Sequence, residues 1–152
     1  MSNEANALDA LYREVILDHH RSPRNYGKLS TANAQAEGYN PLCGDRIEIF
    51  VDAKEGKILS HCNFRGEGCS ICMASASMMT EELTGKTVQE TEEFIEGFRQ
   101  LMRSEKCPLS IEGDLESIIG VRNFPVRIKC ALLPWTTLST ALENLKNGEK
   151  NE

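Results

Sequence analysis

No run of apolar residues in this chain approaches the roughly 20 needed to cross a bilayer as a helix, so a membrane-spanning protein is not expected. The first ten residues, MSNEANALDA, have neither the basic start nor the apolar stretch of a secretory signal. The expected location is therefore the cytoplasm. Positive charge is also in deficit: 17 Lys and Arg stand against 23 Asp and Glu, a formal net charge of −6. A nucleic-acid surface wants the opposite balance, so no such partner is expected, although local basic clusters can still serve a protein partner. Histidine is scarcer still. There are three, and no pair has the H-x₃₋₅-H spacing, which excludes a finger-type Cys₂His₂ zinc site. Internal repeats and domain-dividing linkers are missing too.

What is present is an ordinary globular composition, 40% hydrophobic and 26% charged over 152 residues. That suits one domain, residues 1–152, with 1–7 and 146–152 expected to fray. Six cysteines in a reducing compartment argue for metal or sulfur chemistry over a disulfide framework.

LDALYREVILDHH carries its apolar residues at helical spacing and ends in cationic residues before Pro23. A weak strand is expected around Gln35–Gly38. DRIEIFVDAKEGKILSHCNF reads as a hairpin. Ile47, Ile49 and Val51 face one way against Arg46, Glu48 and Phe50. Ile58, Ser60, Cys62 and Phe64 alternate on the second strand. CSICMASASMMTEELTG reads as a small-residue helix closed by Gly85, its Ala/Ser face suited to close packing on the sheet. Residues 87–104 form another helix with a stripe of Val88, Phe94, Ile95, Phe98 and Leu101 or Met102, and 105–113 a loop. DLESIIG is a short helix with Asp114 as N-cap. The last helix starts at Pro125 and is expected to kink at Pro134, whose ring faces the Cys130 carbonyl. The class is α+β: a small antiparallel sheet of about three strands with helices on one face.

The cysteines differ in what surrounds them. NPLCGDRI puts Cys43 and Asp45 two apart before a strand, so both point to one side. A thiolate and a carboxylate aimed at one point repel unless a cation lies between them; the plain alternative is a tight turn with an incidental Cys. Cys69 follows GEG and opens a helix, whose N-terminus favours thiolate over thiol. Cys72 and Cys62 fit buried core positions, with a reserve thiol near the site as the alternative for Cys72. Cys130 lies one helical turn after Arg127, and a guanidinium there lowers the cost of thiolate charge; a solvated surface charge is an equal alternative for Arg127. Cys107 has no assigned role. His19 and His20 suit a helix C-terminus, and His61 points away from Cys62. The C-x-x-C of Cys69 and Cys72 follows a hairpin and not a βαβ unit, which disfavours a thioredoxin-like dithiol.

Taken together, LYREVILDHHRSPRNYG, NPLCGDRI, GEGCSICMASASMMTE and FPVRIKCALLPW resemble the U-type iron–sulfur assembly proteins (IscU and the NifU N-terminal part), over about Leu8–Leu145. The resemblance is stronger to the SufU type. Lys129 stands where IscU-like proteins place a His before the last cysteine, and the segment between Cys69 and Cys130 is longer. Cys72 is a departure, since Ser or another small residue is common there. The resemblance implies a ligand set of Cys43, Asp45, Cys69 and Cys130 for Zn²⁺. It also implies sulfur transfer, with Cys43 accepting persulfide from a SufS-type cysteine desulfurase and passing sulfur to a SufB-containing assembly complex. A partner His would replace Cys43 on the metal. Arg127 and Lys129 would offset the site's negative charge, and Arg127 is the second residue expected to act in transfer. His20, Arg21 and Arg24 offer a docking edge, with simple complementarity to the helix dipole an equal alternative. The chain is expected to be monomeric alone. Two other readings stand beside this one: a scaffold on which an iron–sulfur cluster is assembled, and a purely structural zinc module. The second of these is disfavoured by Asp45, because structural zinc sites use Cys and His.

Overall fold

A computed structural model describes the backbone of residues 2–103 and 111–151, and the side chains of residues 10–103 and 111–148. Cys107 and most of the expected 105–113 loop lie outside the described residues. The elements follow in the order α1 (Ser2–Arg21), β1 (Ala34–Asn40), β2 (Asp45–Lys54), β3 (Ile58–Glu67), α2 (Ser70–Leu83), α3 (Val88–Arg103), α4 (Glu116–Ile119) and α5 (Pro125–Asn151). Short 3₁₀ turns at Gly113–Leu115 and Gly120–Asn123 flank α4.

The three strands form one antiparallel sheet in the order β1-β2-β3. Ile47, Ile49 and Val51 are fully buried on the face that meets α2 and α5, as period-two alternation requires. Phe50 has the opposite parity and is nevertheless buried; the Arg65 guanidinium lies 5.7 Å over its ring. β3 departs from the simple alternation. A register shift between Asp52 and Ala53 pairs Asp52 with His61 but Ala53 with Leu59. Ser60 is the extra residue of this bulge. Leu59 and Cys62 therefore both point inward, and Ile58, expected inside, is exposed. His61 points outward and meets Asp52 at 3.4 Å.

α2 is buried along nearly its whole length, because its Ala and Ser residues let three neighbours approach at once. The sheet is only one of them. The Ser75 hydroxyl donates to the Ala131 carbonyl of α5 at 2.6 Å and accepts the Trp135 indole N–H at 2.9 Å. Ser77 reaches α1. Each buried hydroxyl thus has its partners, as a low-dielectric interior demands. α3 presents Val88, Thr91, Ile95, Phe98 and Met102 inward, and its rings stack on Trp135, Phe98 at 4.1 Å and Phe94 at 5.8 Å between centroids. Its start is a reciprocal capping box: Thr87 Oγ1 accepts the Glu90 N–H, and Glu90 Oε1 accepts the Thr87 N–H.

Two expectations are corrected here. Asp114 makes no side-chain cap; its carboxylate faces His19 instead. His19, expected as a helix-end cation, is completely buried, while His20 is exposed. α5 begins at Pro125 as expected and passes through Pro134 as one helix.

Candidate metal centre

The site is assembled where the turn end of the β1–β2 hairpin meets the start of α2 and the first turns of α5. Asn40 and Asp45 are the last paired residues of the hairpin. Residues 41–44 make the connection, closed by the Cys43 N–H to the Asn40 carbonyl at 3.2 Å. Gly44 takes φ +70°, a left-handed value that costs glycine little and other residues more. Cys43 is therefore carried on a turn, half-buried, beside a rigid strand end.

Asp45 is 2% exposed. A carboxylate so buried needs donors, and it has two. The Cys69 N–H donates to Oδ1 at 2.8 Å, and Asn40 Nδ2 donates to Oδ2 at 3.3 Å. Gly68 makes room for it: a Cβ there would stand 2.5 Å from Asp45 Oδ1. Cys69 is the N-cap of α2, its Sγ accepting the Cys72 N–H at 3.4 Å. The sulfur thus occupies the positive end of the helix dipole.

Cys130 is fully buried on α5, with its Sγ 3.0 Å from Cys43 Sγ and 3.5 Å from Asn40 Nδ2. Burial above all pushes its thiol up, followed by the hydrogen bond to Cys43 and the charge of Cys69. A positive charge at the point where these groups converge reverses that cost. The donor atoms of Cys43, Asp45 and Cys130 lie within 4.8 Å of one another. Cys69 stands beside this trio: its backbone holds Asp45, and its sulfur acts on Cys130.

Arg127 is exposed one turn before Cys130, and its guanidinium faces the sulfurs. Hydrogen bonding to Cys130 and then the charges of Cys69, Cys130 and Cys43 raise its pKa. Lys129 is exposed. Cys72 is fully buried, and burial first, then Asp45, Cys69 and Cys43, push its thiol up. Cys62, buried in the sheet, is pushed up to about 12 by burial alone. Both are core thiols. Asn40 is the residue that sequence reasoning missed. Its only signal is that it opens NPLCGD, and its role emerges once β1 pairs with β2. Leu42, Phe124 and Val126, neighbours in sequence of Cys43 and Arg127, are exposed apolar side chains.

Fold and site define a class: a small sheet-and-helix domain that presents cysteines and one buried carboxylate toward a single point. The family model for the NifU-like N terminal domain matches residues 11–131, and the chain belongs to that family. It is 43% identical to the zinc-dependent sulfurtransferase SufU of Bacillus subtilis, covering 97% of this chain and 99% of the relative. It is 36% identical to the iron–sulfur cluster assembly scaffold protein IscU of Streptococcus pyogenes, over 93% of this chain and 89% of that protein. Among solved structures it superposes with TM-score 0.79 on a putative iron–sulfur cluster assembly scaffold protein for the SUF system from Fervidobacterium islandicum. That match has 33% identity and covers 85% of this chain and 94% of the other.

Proposed function

We propose that this protein is a zinc-dependent sulfurtransferase of iron–sulfur cluster biogenesis. In this reading it accepts persulfide sulfur from a SufS-type cysteine desulfurase and passes it to a SufB-containing assembly complex. The observation that carries the proposal is the convergence of Cys43, Asp45 and Cys130, with Cys69 beside them, on a turn, a strand end and two helices. Thiolates and one carboxylate suit Zn²⁺, with Cys43, Asp45, Cys69 and Cys130 as the residues that would hold it. The bound ion would keep its cysteines as thiolates at neutral pH.

Cys43 is the sulfur that moves, because it is the one carried on a turn. Its thiolate attacks the outer sulfur of the desulfurase persulfide. The new S–S bond forms on Cys43, the old one breaks, and the desulfurase cysteine leaves as thiolate. Asp45, Cys69 and Cys130 stay fixed on the sheet and helices. Arg127, facing the sulfurs from an exposed position, offsets the anionic charge that accumulates there. Leu42, Phe124 and Val126 give the partner an apolar rim to dock on, and His20 and Arg21 remain exposed at the end of α1. Arg24 is already paired with Asp18 at 2.8 Å.

The test is anaerobic purification followed by metal analysis, absorbance spectroscopy and intact-mass measurement after incubation with desulfurase and cysteine. One tightly held zinc per chain, no thiolate-to-iron bands and a sulfur adduct on Cys43 are expected. The likeness to scaffold proteins supports a second reading, cluster assembly on the same residues. Iron with thiolate-to-iron bands would establish that reading in place of the first.

A further inference from the structure

A second set of metal donors lies at the opposite end of α2 from Cys69. His19, in the last turn of α1, is 0% exposed, and its ring is held from both sides. Nδ1 meets Ser77 Oγ at 2.7 Å, and Nε2 meets Asp114 Oδ2 at 2.7 Å. Glu81 Oε1 stands 4.0 Å from the same Nε2. One donor atom from each of His19, Glu81 and Asp114 falls within 4.8 Å of the others. The two carboxylates are half-exposed and open onto a cavity of about 330 Å³ whose charged lining is Glu81, Glu82, Glu112 and Asp114. Among the described residues, no basic side chain lines it. Among the described cations, Arg24, close enough to feel Glu81 and Asp114, pairs with Asp18, while Lys86 lies 3.9 Å from Glu82 in the cavity's lining and offsets that one carboxylate.

We propose that His19, Glu81 and Asp114 form a second divalent-cation site, separate from the cysteine centre. The buried imidazole distinguishes this cluster from a patch of surface acids. A metal-binding histidine must offer one nitrogen lone pair while its other N–H is held by an acceptor. Ser77 provides that acceptor. Its Oγ accepts the Arg24 backbone N–H at 2.8 Å and has a second lone pair for Nδ1–H. Without an ion, Nε2–H donates to Asp114 Oδ2; an ion would displace that proton and take the Nε2 lone pair together with the two carboxylates. The imidazole favours a borderline transition ion, Zn²⁺ or Fe²⁺, over Mg²⁺ or Ca²⁺, and the lack of thiolate makes the site weaker than the cysteine centre. Bound there, the ion would tie α1, α2 and the 3₁₀ turn before α4 together.

The test uses the full chain already loaded with one zinc and titrates it with Co²⁺. A second equivalent is expected to bind with weak d–d bands and no thiolate-to-cobalt band. Asp114→Asn and Glu81→Gln alter half-exposed side chains and should fold normally. Each is expected to weaken the second equivalent by about 10-fold or more and leave the first untouched. In the ¹⁵N-labelled chain, Zn²⁺ beyond one equivalent should shift His19 Nε2 selectively. Absence of a second equivalent, indifference to both substitutions, or an unmoved His19 Nε2 would each reduce the cluster to a hydrogen-bonded helix clamp and overturn the proposal.

Discussion

Cys43 and Cys130 have sulfurs 3.0 Å apart and opposite supports, one a half-buried turn and the other a fully buried helix. Their variants should therefore diverge. Cys43→Ala is expected to retain much of its zinc, because water or a partner group can fill the vacancy at the surface, yet to abolish sulfur acceptance. Cys69→Ala and Cys130→Ala should lose both. Zinc content and desulfurase turnover under reducing conditions measure the two properties side by side. Normal stimulation by Cys43→Ala would move the acceptor role to another cysteine. Asn40→Ala removes the donor shared by Asp45 Oδ2 and Cys130 Sγ. Loss of such a supporting donor costs about 10–100-fold in metal affinity, which a competing chromophoric chelator would read. Cys72→Ser should keep its zinc and fold less stably, because a hydroxyl replaces a buried sulfur; loss of stoichiometric zinc would make Cys72 a ligand after all.

At the level of elements, the parts legible in sequence are those whose signal is local. The α3 stripe of Val88, Ile95 and Phe98 and the β2 alternation of Ile47, Ile49 and Val51 are buried as their periodicity implies. Gly85 follows α2 with φ +94°. Where the deciding contact is distant in sequence, the reading fails. Asp114 looks like an N-cap from its neighbours, but its partner His19 is 95 residues away. Ile58 looks inward until the bulge at β3 reverses its parity. The site divides in the same way. Cys43, Asp45, Cys69 and Cys130 sit in recognisable motifs, whereas Asn40 acquires its role from strand pairing and Gly68 from the position of Asp45. Two substitutions probe these devices. Thr87→Ala should cost about 1 kcal/mol in denaturant unfolding through loss of the cap, with zinc unchanged. Gly68→Ala forces a methyl toward Asp45 Oδ1 and should lower zinc affinity with little change in the secondary structure seen by circular dichroism.

For the whole molecule, a metal on these residues would cross-link the hairpin end, α2 and α5, elements separated by up to 87 residues. Structural zinc contributes about 10–16 kcal/mol in finger peptides, comparable with the roughly 5–15 kcal/mol stability of an entire domain. This chain also has a continuous core running from Ile47 and Phe64 through Met79 to Trp135. Chelation should therefore lower the melting temperature and loosen the cysteine end while helix content survives. An unchanged melting temperature after verified zinc removal would contradict this. The hairpin end has a further consequence for engineering. The sheet completes its last rung at Asn40 and Asp45 before the chain turns, so residues 41–44 form a tether outside the register. Doubling the length of a flexible tether costs only about 0.6 kcal/mol in closure entropy. Glycine insertions beside Leu42 would lengthen the arm that carries Cys43 and leave Asp45, Cys69 and Cys130 in place. The reach of the Cys43 thiol would then change while the other three residues that would hold the metal keep their supports.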